Sequence, residues 1–383
     1  MKLSDREWKD FSVPYIFQKI QRGKRLKNAD HISGIIPYVS STANNNGVDD
    51  YIEAIDGTRV FENCISLANS GSVGTAFYEP FAFVASDHVT SLKRENTSQY
   101  VYLFLTAVLE QQGSNFNFNR EINDLRIRKM RVMLPVDDND EPDYQFMEDY
   151  MKELMTAKRK QYQEYVEQRL VKLGVDDMKN TERVGYNLDL ESREWKPCRL
   201  SKLGKVESGR DIYAMERVEG DIPYITSGSQ NNGIGYFVSN KNDTFDKDYI
   251  AFNRNGAVGL AFYHPYWSVM GNDCRKIHIS KADENMYVGL FIATAISMQS
   301  KSFSYSRKLG TARANKLQIM LPVDDNNEPD YEFMEECGRQ MMAKKYIQYL
   351  KYLESTCDIF GFVIDVILLV YNVIGWIENG IKI

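Results

Sequence analysis

The stretch Leu134-Pro-Val-Asp-Asp-Asn-Asp-Glu-Pro-Asp-Tyr-Gln-Phe-Met-Glu148 occurs twice in this sequence of 383 residues. The second copy, residues 321–335, lies 187 positions later and is identical at 13 of 15 positions. A period of this length is much longer than that of a solenoid repeat, which spans about 20–50 residues. The sequence therefore predicts a duplicated unit, and its function should be sought in what the copies share and where they differ.

Each copy of the stretch predicts a junction between a strand and a helix. The apolar runs at 132–134 and 319–321 are typical of a final strand. The Asp/Asn-rich segment that follows is turn chemistry. Glu-Pro-Asp then predicts a helix start, with proline in the first helical turn and carboxylates near the positive end of the helix dipole.

A long helical pattern follows each junction. Residues 143–173 carry a near-heptad apolar stripe that ends at Gly174, a predicted C-cap, and would form a rod of roughly 46 Å. Residues 330–354 carry a second stripe. Because a lone helix cannot bury such a stripe, we expect the two helices to pack antiparallel as a coiled coil, related by a pseudo-twofold axis.

Two blocks of similar order surround the first helix. Each contains short apolar segments, turns and one or two helical patterns, so the predicted fold class is α+β. In the first block we predict strands at 36–39 and 64–68 and a helix at 100–111. The predicted organisation is a first block at 1–134, a helix and linker at 135–194, a second block at 195–321, a second helix at 322–357 and a hydrophobic tail at 358–383.

Charge is distributed unevenly along the chain. The net charge is −6. The blocks 1–134 and 195–321 carry +1 and +6, whereas the helical regions 135–194 and 322–383 carry −7 and −6. The overall acidity therefore does not exclude a nucleic-acid partner for the two blocks.

Cysteine, histidine and motif patterns argue against a redox, metal or catalytic site. The five cysteines form no close pair, which predicts reduced thiols in a cytoplasmic protein. The four histidines lack metal-ligand spacing. The sequence contains no Asn/Asp-Pro-Pro-Tyr methyltransferase motif, no nucleotide-binding glycine loop after a strand, and only a loose nuclease-like match. The N-terminal residues are too charged for us to expect a signal peptide there.

The tail is the segment that fits this organisation least well. Residues 359–377 are nearly all apolar and number 19, enough to span a bilayer. Asp365 lies near the middle and would cost roughly 2.5–3.5 kcal/mol on insertion scales. We therefore favour a tail folded on the protein, or an aberrant terminus, over a membrane span.

The repeated motifs resemble those of the specificity (S) subunits of type I restriction–modification systems. The resemblance rests on the Ile-Pro-Tyr-Ile-Thr-Ser-Gly and Asn-Asn-Gly segments at 222–233 with their counterpart at 36–47, on Asn-Arg-Asn-Gly-Ala-Val-Gly at 253–259, and on both junctions. It covers about residues 8–355. The hydrophobic tail departs from the family pattern, in which a polar end to the second helix is expected.

The resemblance implies a non-catalytic subunit that reads double-stranded DNA with two target-recognition domains, the blocks 1–134 and 195–321. It implies helices that space the domains and bind two methyltransferase subunits, with restriction/translocase subunits as further partners. S-adenosylmethionine, ATP and magnesium would belong to those partners, and this chain would bind no cofactor. A type I system and a related fused type IIB system both remain open. The competing hypotheses are a free-standing DNA nuclease or methyltransferase, and a membrane-tethered interaction protein.

The chemistry of the side chains in the repeated loops predicts which residues would contact DNA. Asn and Gln match adenine edges, Arg matches guanine, and Ser or Thr suit either a donor or an acceptor. The base-reading candidates are Ser40, Ser41, Thr42, Asn44, Asn45, Asn46, Asn69, Ser70, Thr226, Ser227, Ser229, Gln230, Asn231, Asn232, Arg254 and Asn255. The phosphate candidates are Arg22, Lys24, Arg25, Lys27, Arg210, Arg275 and Lys276. The alternative is that the polar loops are surface turns and the charges are solvated faces.

Overall fold

The computed structural model describes residues 1–54, 57–117, 119–174, 190–282 and 285–355. It divides into two compact units, Met1–Tyr165 and Val166–Ile383. Both units mix sheets and helices, so the α+β prediction is confirmed.

The first unit contains ten strands and most of a long helix among its described residues. Its strands are β1 (Trp8–Ser12), β2 (Lys19–Arg22), β3 (Ser33–Val39), β4 (Val48–Ile52), β5 (Val60–Phe61), β6 (Cys64–Ala68), β7 (Ala76–Glu79), β8 (Phe83–Ala85), β9 (Val89–Lys93) and β10 (Arg131–Pro135). Its helices are α1 (Val13–Ile16), α2 (Gln99–Gln111), α3 (Asp124–Lys129) and α4 (Tyr144–Lys172), whose last residues belong to the second unit.

The second unit repeats this order. Its strands are β11 (Trp195–Arg199), β12 (Val206–Ser208), β13 (Glu219–Ile225), β14 (Ile234–Val238), β15 (Tyr249–Asn253), β16 (Ala261–His264), β17 (Val269–Met270), β18 (Cys274–Ile277) and β19 (Gln318–Pro322). Its helices are α5 (Leu200–Leu203), α6 (Met286–Ser297), α7 (Thr311–Ala314) and α8 (Tyr331–Ser355).

Among the described residues each unit has three sheets, and their strand orders correspond except that the second unit lacks a counterpart of β5. In the first unit their orders are β1-β10, β2-β9-β6-β7 and β4-β3-β8-β5. In the second they are β11-β19, β12-β18-β15-β16 and β14-β13-β17. All pairs are antiparallel except β3 with β8 and β13 with β17. The sequence duplication is therefore a duplication of topology.

The repeated stretch joins the two-stranded sheet to the long helix in each unit. The helix begins at an N-cap aspartate, since the Phe146 amide donates to Asp143 Oδ1 at 2.8 Å and the Phe333 amide to Asp330 Oδ1 at 2.9 Å. An N-cap carboxylate satisfies one of the amides that a helix start leaves free. The predicted place of proline in the first turn was wrong, because Pro142 precedes the N-cap.

The main sequence-predicted elements are confirmed. The predicted strands fall in β3 and coincide with β6, and the predicted helices match α2, α4 and α8 to within one residue. Within the second unit the end of α4 contacts α8, where Arg169 Nη2 lies 4.0 Å from Met342 Sδ. Antiparallel packing along both stripes stays a prediction.

Two predicted segments lie outside the described residues. They are the tail at 358–383 and most of the linker, residues 175–189. In the described part of the chain, no helix is both long and apolar enough to cross a membrane.

A helix covers one face of the four-stranded sheet in each unit. In the second unit Val288, Ile292 and Ile296 of α6 pack into the same buried cluster as Ile250 and Phe252 of β15. In the first unit the rings of Tyr78 on β7 and Tyr102 on α2 stack at 4.9 Å. This apolar layer holds the four-stranded sheet of each unit in place.

On the opposite face of this sheet, one position carries an ionisable side chain in both units. Glu79 ends β7 and His264 ends β16, and both are fully buried. Burial raises the pKa of Glu79 to about 8, although Ser66 Oγ donates to it at 2.9 Å. Burial lowers the pKa of His264 to about 3. The same backbone position therefore holds an uncharged acid in one unit and an uncharged base in the other.

We expect the first unit to lose stability as pH rises and the second unit to lose stability as pH falls. The pKa of Glu79 is raised above its ordinary value of 4.5, so its contribution is lost as pH rises through about 8. The slope should be about 1.4 kcal/mol per pH unit between pH 5 and 8. The pKa of His264 is lowered from 6.5, so the second unit loses stability as pH falls below that value.

Hydrogen exchange followed on peptides of β7 and β16 measures both dependences. Glu79→Gln should remove the pH dependence of the first unit above pH 5 and leave the second unit unchanged. An unaltered slope in the first unit of this variant would contradict the assignment to Glu79.

Candidate nucleic-acid interface

The sheet topology brings three connecting segments to one edge of each unit. We name them the polar loop (40–47 and 226–233), the glycine turn (69–74 and 254–259) and the tip (86–88 and 271–273). Parallel pairing places the ends of β3 and β8 side by side, where the Ser86 amide donates to Val39 O at 3.0 Å. Antiparallel pairing places the end of β6 against the start of β9. The polar loop, the glycine turn and the tip therefore form one surface.

In the first unit the glycine turn touches the polar loop directly. The Ser72 amide donates to Ser41 O at 3.0 Å. Gly71 has a φ of +64°, and a Cβ added there would lie 2.6 Å from Ser41 Oγ. Only glycine fits both this conformation and this approach.

The second unit builds the same contact with other residues. The Ala257 amide donates to Ser227 O at 3.1 Å, and Asn253 Nδ2 donates to Gly228 O at 2.9 Å. Gly256 has a φ of +60°, and a Cβ there would lie 2.7 Å from Ser227 Oγ. The polar loop and the glycine turn, which the sequence predicted as separate candidates, are therefore in contact in both units.

The asparagines of the polar loop have a backbone role as well as a polar side chain. Asn45, Asn46, Asn231 and Asn232 all have positive φ, a region that asparagine tolerates better than most residues. Asn232 is only 2% exposed, so its assignment to base reading is corrected. The exposed candidates are Asn44, Asn45, Ser229, Gln230 and Asn231, and the half-buried ones are Ser40, Ser41, Thr42, Asn46, Thr226 and Ser227.

The glycine turn of the first unit has its polar side chains facing inward. Asn69 is 1% exposed, and its Oδ1 accepts a hydrogen bond from Thr90 Oγ1 at 2.8 Å. Ser70 is also buried and hydrogen-bonds to the His88 ring on the tip. The assignment of Asn69 and Ser70 to base reading is therefore corrected. Their hydrogen bonds hold the glycine turn in place.

The glycine turn of the second unit places a charged side chain at the surface. The Arg254 side chain is 28% exposed, and its Nη1 lies 3.1 Å from Asp273 Oδ1 on the tip. The Arg254 amide donates to Asp273 O at 2.8 Å, and the half-buried Asn255 donates its amide to the same oxygen at 3.3 Å. Arg254 is thus the base-reading candidate of this turn that can reach a ligand.

Three of the phosphate candidates are tied into the protein. Arg22 Nε donates to Asp87 O at 2.6 Å, and Arg275 Nη1 donates to Asn272 O at 2.8 Å. Lys276 is 6% exposed and forms an ion pair with Asp246. A buried ammonium needs such a carboxylate, so Lys276 is a structural residue and not a phosphate contact. Both arginines support the tip. The assignment of the buried Arg275 to phosphate is corrected, whereas that of the half-buried Arg22 stays a prediction.

The remaining phosphate candidates are exposed. They are Lys24, Arg25, Lys27 and Arg210. Lys24 and Arg25 line a cavity of about 180 Å³ together with Arg59, a cation that the sequence did not nominate. Arg210 pairs with Asp243 at 3.2 Å, and both side chains are largely exposed.

The tip, and a small hairpin beside the glycine turn in each unit, were not predicted from the sequence. The hairpin is closed by the bridges Asn117–Arg120 and Ser304–Arg307. The chain beyond it returns to the turn, where the Leu309 amide donates to Arg254 O at 3.2 Å. The repeat of residues 116–120 as 303–307 was a signal for the hairpin. The tip carries no repeated motif that would have revealed it.

The described residues form no metal-ligand cluster, and the thiols of Cys64 and Cys274 are buried. Within the described residues, no group of three side chains is arranged to hold a metal ion. Burial raises the pKa of the Cys64 thiol to about 11 and that of Cys274 to about 12, so neither is a reactive thiolate near neutral pH.

Comparison with known proteins identifies the family. Residues 5–164 and 192–351 each match the type I restriction modification DNA specificity domain. The chain belongs to this family. The predicted resemblance to specificity subunits is thereby confirmed. The chain has a role in DNA sequence specificity and is a non-catalytic subunit of a restriction–modification system. A specificity subunit of this kind assembles with DNA and with other restriction–modification subunits.

Individual relatives are similar to the specificity subunit along most of its length. S.BcgI of Heyndrickxia coagulans, a type II restriction enzyme specificity subunit, is 26% identical over 310 residues, which are 80% of this chain and 86% of that protein. The type I S subunit from M. genitalium is 16% identical with a TM-score of 0.44 and covers 93% of this chain and 94% of its own. The HsdS subunit from Thermoanaerobacter tengcongensis is 13% identical with a TM-score of 0.32, at 91% coverage of both chains.

The close approach at the glycine turn generates a test of this surface. Gly256→Ala forces a non-glycine residue to positive φ, which costs roughly 1–2 kcal/mol, or displaces the polar loop. If the free protein relieves this strain by displacing the polar loop, DNA binding must restore the loop, so we expect the DNA affinity of the complex with its partner subunits to fall by up to roughly 5- to 30-fold. Gly310→Ala is the matched control, because no atom lies within 4 Å of a Cβ there. Equal DNA affinity for the two variants, measured by titration, would remove the glycine turn from the interface.

Proposed function

We propose that this specificity subunit reads a bipartite site on double-stranded DNA, one half with each unit. The observation that carries the proposal is that the surface of polar loop, glycine turn and tip is built twice on one backbone plan but with different side chains. The first unit has buried Asn69 and Ser70 where the second has Arg254 and Asn255. Two surfaces of equal shape and different chemistry suit two different half-sites.

The exposed side chains define what each surface can recognise. Arg254 suits the O6 and N7 acceptors of guanine. Gln230 and Asn231 in the second unit, and Asn44 and Asn45 in the first, suit the adenine edge. The hydroxyl of Ser229 suits either a donor or an acceptor.

Cations beside this surface are suited to the DNA backbone. Lys24, Arg25 and Lys27 are exposed in the first unit, and Arg210 is exposed in the second. Contacts from these side chains add affinity and salt dependence without sequence information.

The partners proposed for this chain carry the chemistry. Two methyltransferase subunits would bind along the helices, and restriction/translocase subunits would join them, with S-adenosylmethionine, ATP and magnesium bound by those partners in the cytoplasm. A type II arrangement, the class to which S.BcgI belongs, is the alternative. Co-purification distinguishes the two by the subunits that accompany the chain.

Exchanging one unit tests independent reading. When residues 195–321 are replaced by the block of another family member, we expect one half of the methylated site to change and the other half to stay. The readout is sequencing of methylated bases in cells that carry the subunit and its partners. A change in both halves, or in neither, would refute reading of one half-site by each unit.

Altering the length of the 174–194 region tests the spacer role of the helices. Successive base pairs are about 3.4 Å apart along the duplex, so residues added between the units should change the gap between the half-sites. The same methylation sequencing reports the gap. An insertion of equal length after Gly57, outside this region, should leave the gap unaltered; if both insertions change it, the spacer assignment fails.

A further inference from the structure

An arginine side chain donates to the tip in both units. In the first unit the arginine lies on the first strand of a strand pair, and in the second unit it lies on the other strand of the corresponding pair. Arg22 on β2 faces Thr90 on β9, whereas Ser208 on β12 faces Arg275 on β18. Arg22 donates to Asp87 O and Arg275 donates to Asn272 O, and these carbonyls occupy equivalent tip positions. The arginine therefore comes from a different strand in each unit, but it donates to the equivalent backbone carbonyl of the tip. The structure therefore maintains the position of the tip although the local sequence differs.

The tip in turn contacts the residue pair at the start of the glycine turn. A backbone bond joins Asn69 to His88 at 2.8 Å in the first unit and Arg254 to Asp273 at 2.8 Å in the second. A side-chain contact accompanies each, between Ser70 and His88 and between Arg254 and Asp273. Residues 88 and 273 are thus the tip positions whose side chains contact the glycine turn.

In the second unit this contact leaves part of the guanidinium available. Arg254 Nη1 bonds to Asp273 Oδ1 at 3.1 Å and to Asn272 O at 3.4 Å. Its Nε and Nη2 donors make no hydrogen bond to the described part of the chain. The Asp273 side chain is 48% exposed. A flexible arginine is held by one nitrogen while its other donors stay open to a ligand.

We propose that Asp273 is a positioning residue that aims Arg254 at a guanine in the second half-site. An arginine side chain has many rotamers, and fixing it before binding removes part of the entropic cost of ordering it on DNA. The inference rests on the proposed function and adds a specificity-determining residue to it. The first unit has no such charge pair at this point, so the device belongs to one half-site.

The test uses the complex of the full chain with its partner subunits and the site first determined by methylation sequencing. Binding is measured to that site and to every single-base variant of it. The variants are Arg254→Ala, Asp273→Ala, the double variant, Asp273→Glu and the control Asp243→Ala. Asp273→Ala keeps the backbone acceptor for Arg254, and Asp243→Ala removes the carboxylate from an exposed arginine pair away from the glycine turn.

We expect Arg254→Ala to reduce discrimination at one G·C pair by roughly 5- to 150-fold. Asp273→Ala should relax the same base pair by about fivefold or more, and the double variant should be no worse than Arg254→Ala alone. Asp273→Glu should retain the preference because it keeps the carboxylate. Asp243→Ala should change no base preference. This single-position, non-additive pattern is one that a merely structural residue would not produce.

The contrary outcomes separate the inference from the proposed function. If Arg254→Ala relaxes one base pair and Asp273→Ala does not, or relaxes a different pair, the positioning role fails and the reading role of Arg254 stands. If Asp273→Ala weakens all sequences equally, or prevents assembly while Asp273→Glu also loses the preference, Asp273 is structural and the inference fails. If Arg254→Ala changes no base preference, the assignment of this turn to base reading fails with it.

Discussion

The backbone contact between the glycine turn and the polar loop is the constraint on which the candidate surface depends. At Gly71 and Gly256 the chain takes a positive φ and approaches a serine so closely that a Cβ would meet its hydroxyl oxygen. The contact joins two segments that leave different sheets, and the tip adds the third. Since the strands that carry these segments pair in the same order in both units, the surface forms twice from one topology.

At several equivalent positions the two units have the same backbone structure but different side chains. A buried ionisable group ends β7 as Glu79 and β16 as His264, each kept uncharged by burial. The arginine that holds the tip comes from β2 in one unit and from β18 in the other. The backbone tolerates these exchanges because each replacement meets the same local demand, either an uncharged interior or a donor to the tip carbonyl.

The cationic side chains near the candidate surface have two different roles. Some cations hold the protein together, as Lys276 does with Asp246 and Arg275 does with the tip. Others remain at the surface, as Lys24 and Arg25 do. A buried ion pair contributes little net stability, but removing one partner leaves an uncompensated charge. The structural cations are therefore constraints on the fold, while the exposed ones are available to a polyanion.

The sequence by itself determined the duplication, the α+β class, both long helices, the strands at 36–39 and 64–68 and the two loops, because periodicity and turn chemistry act over short stretches of chain. It did not determine that the proline would precede the N-cap rather than enter the helix, since proline is tolerated at both positions. Only the tertiary structure decided which polar residues face outward. Arg22 meets Asp87 across 65 positions and Lys276 meets Asp246 across 30. Burial of a side chain depends on such distant contacts, and these cannot be recognised from the residue type alone.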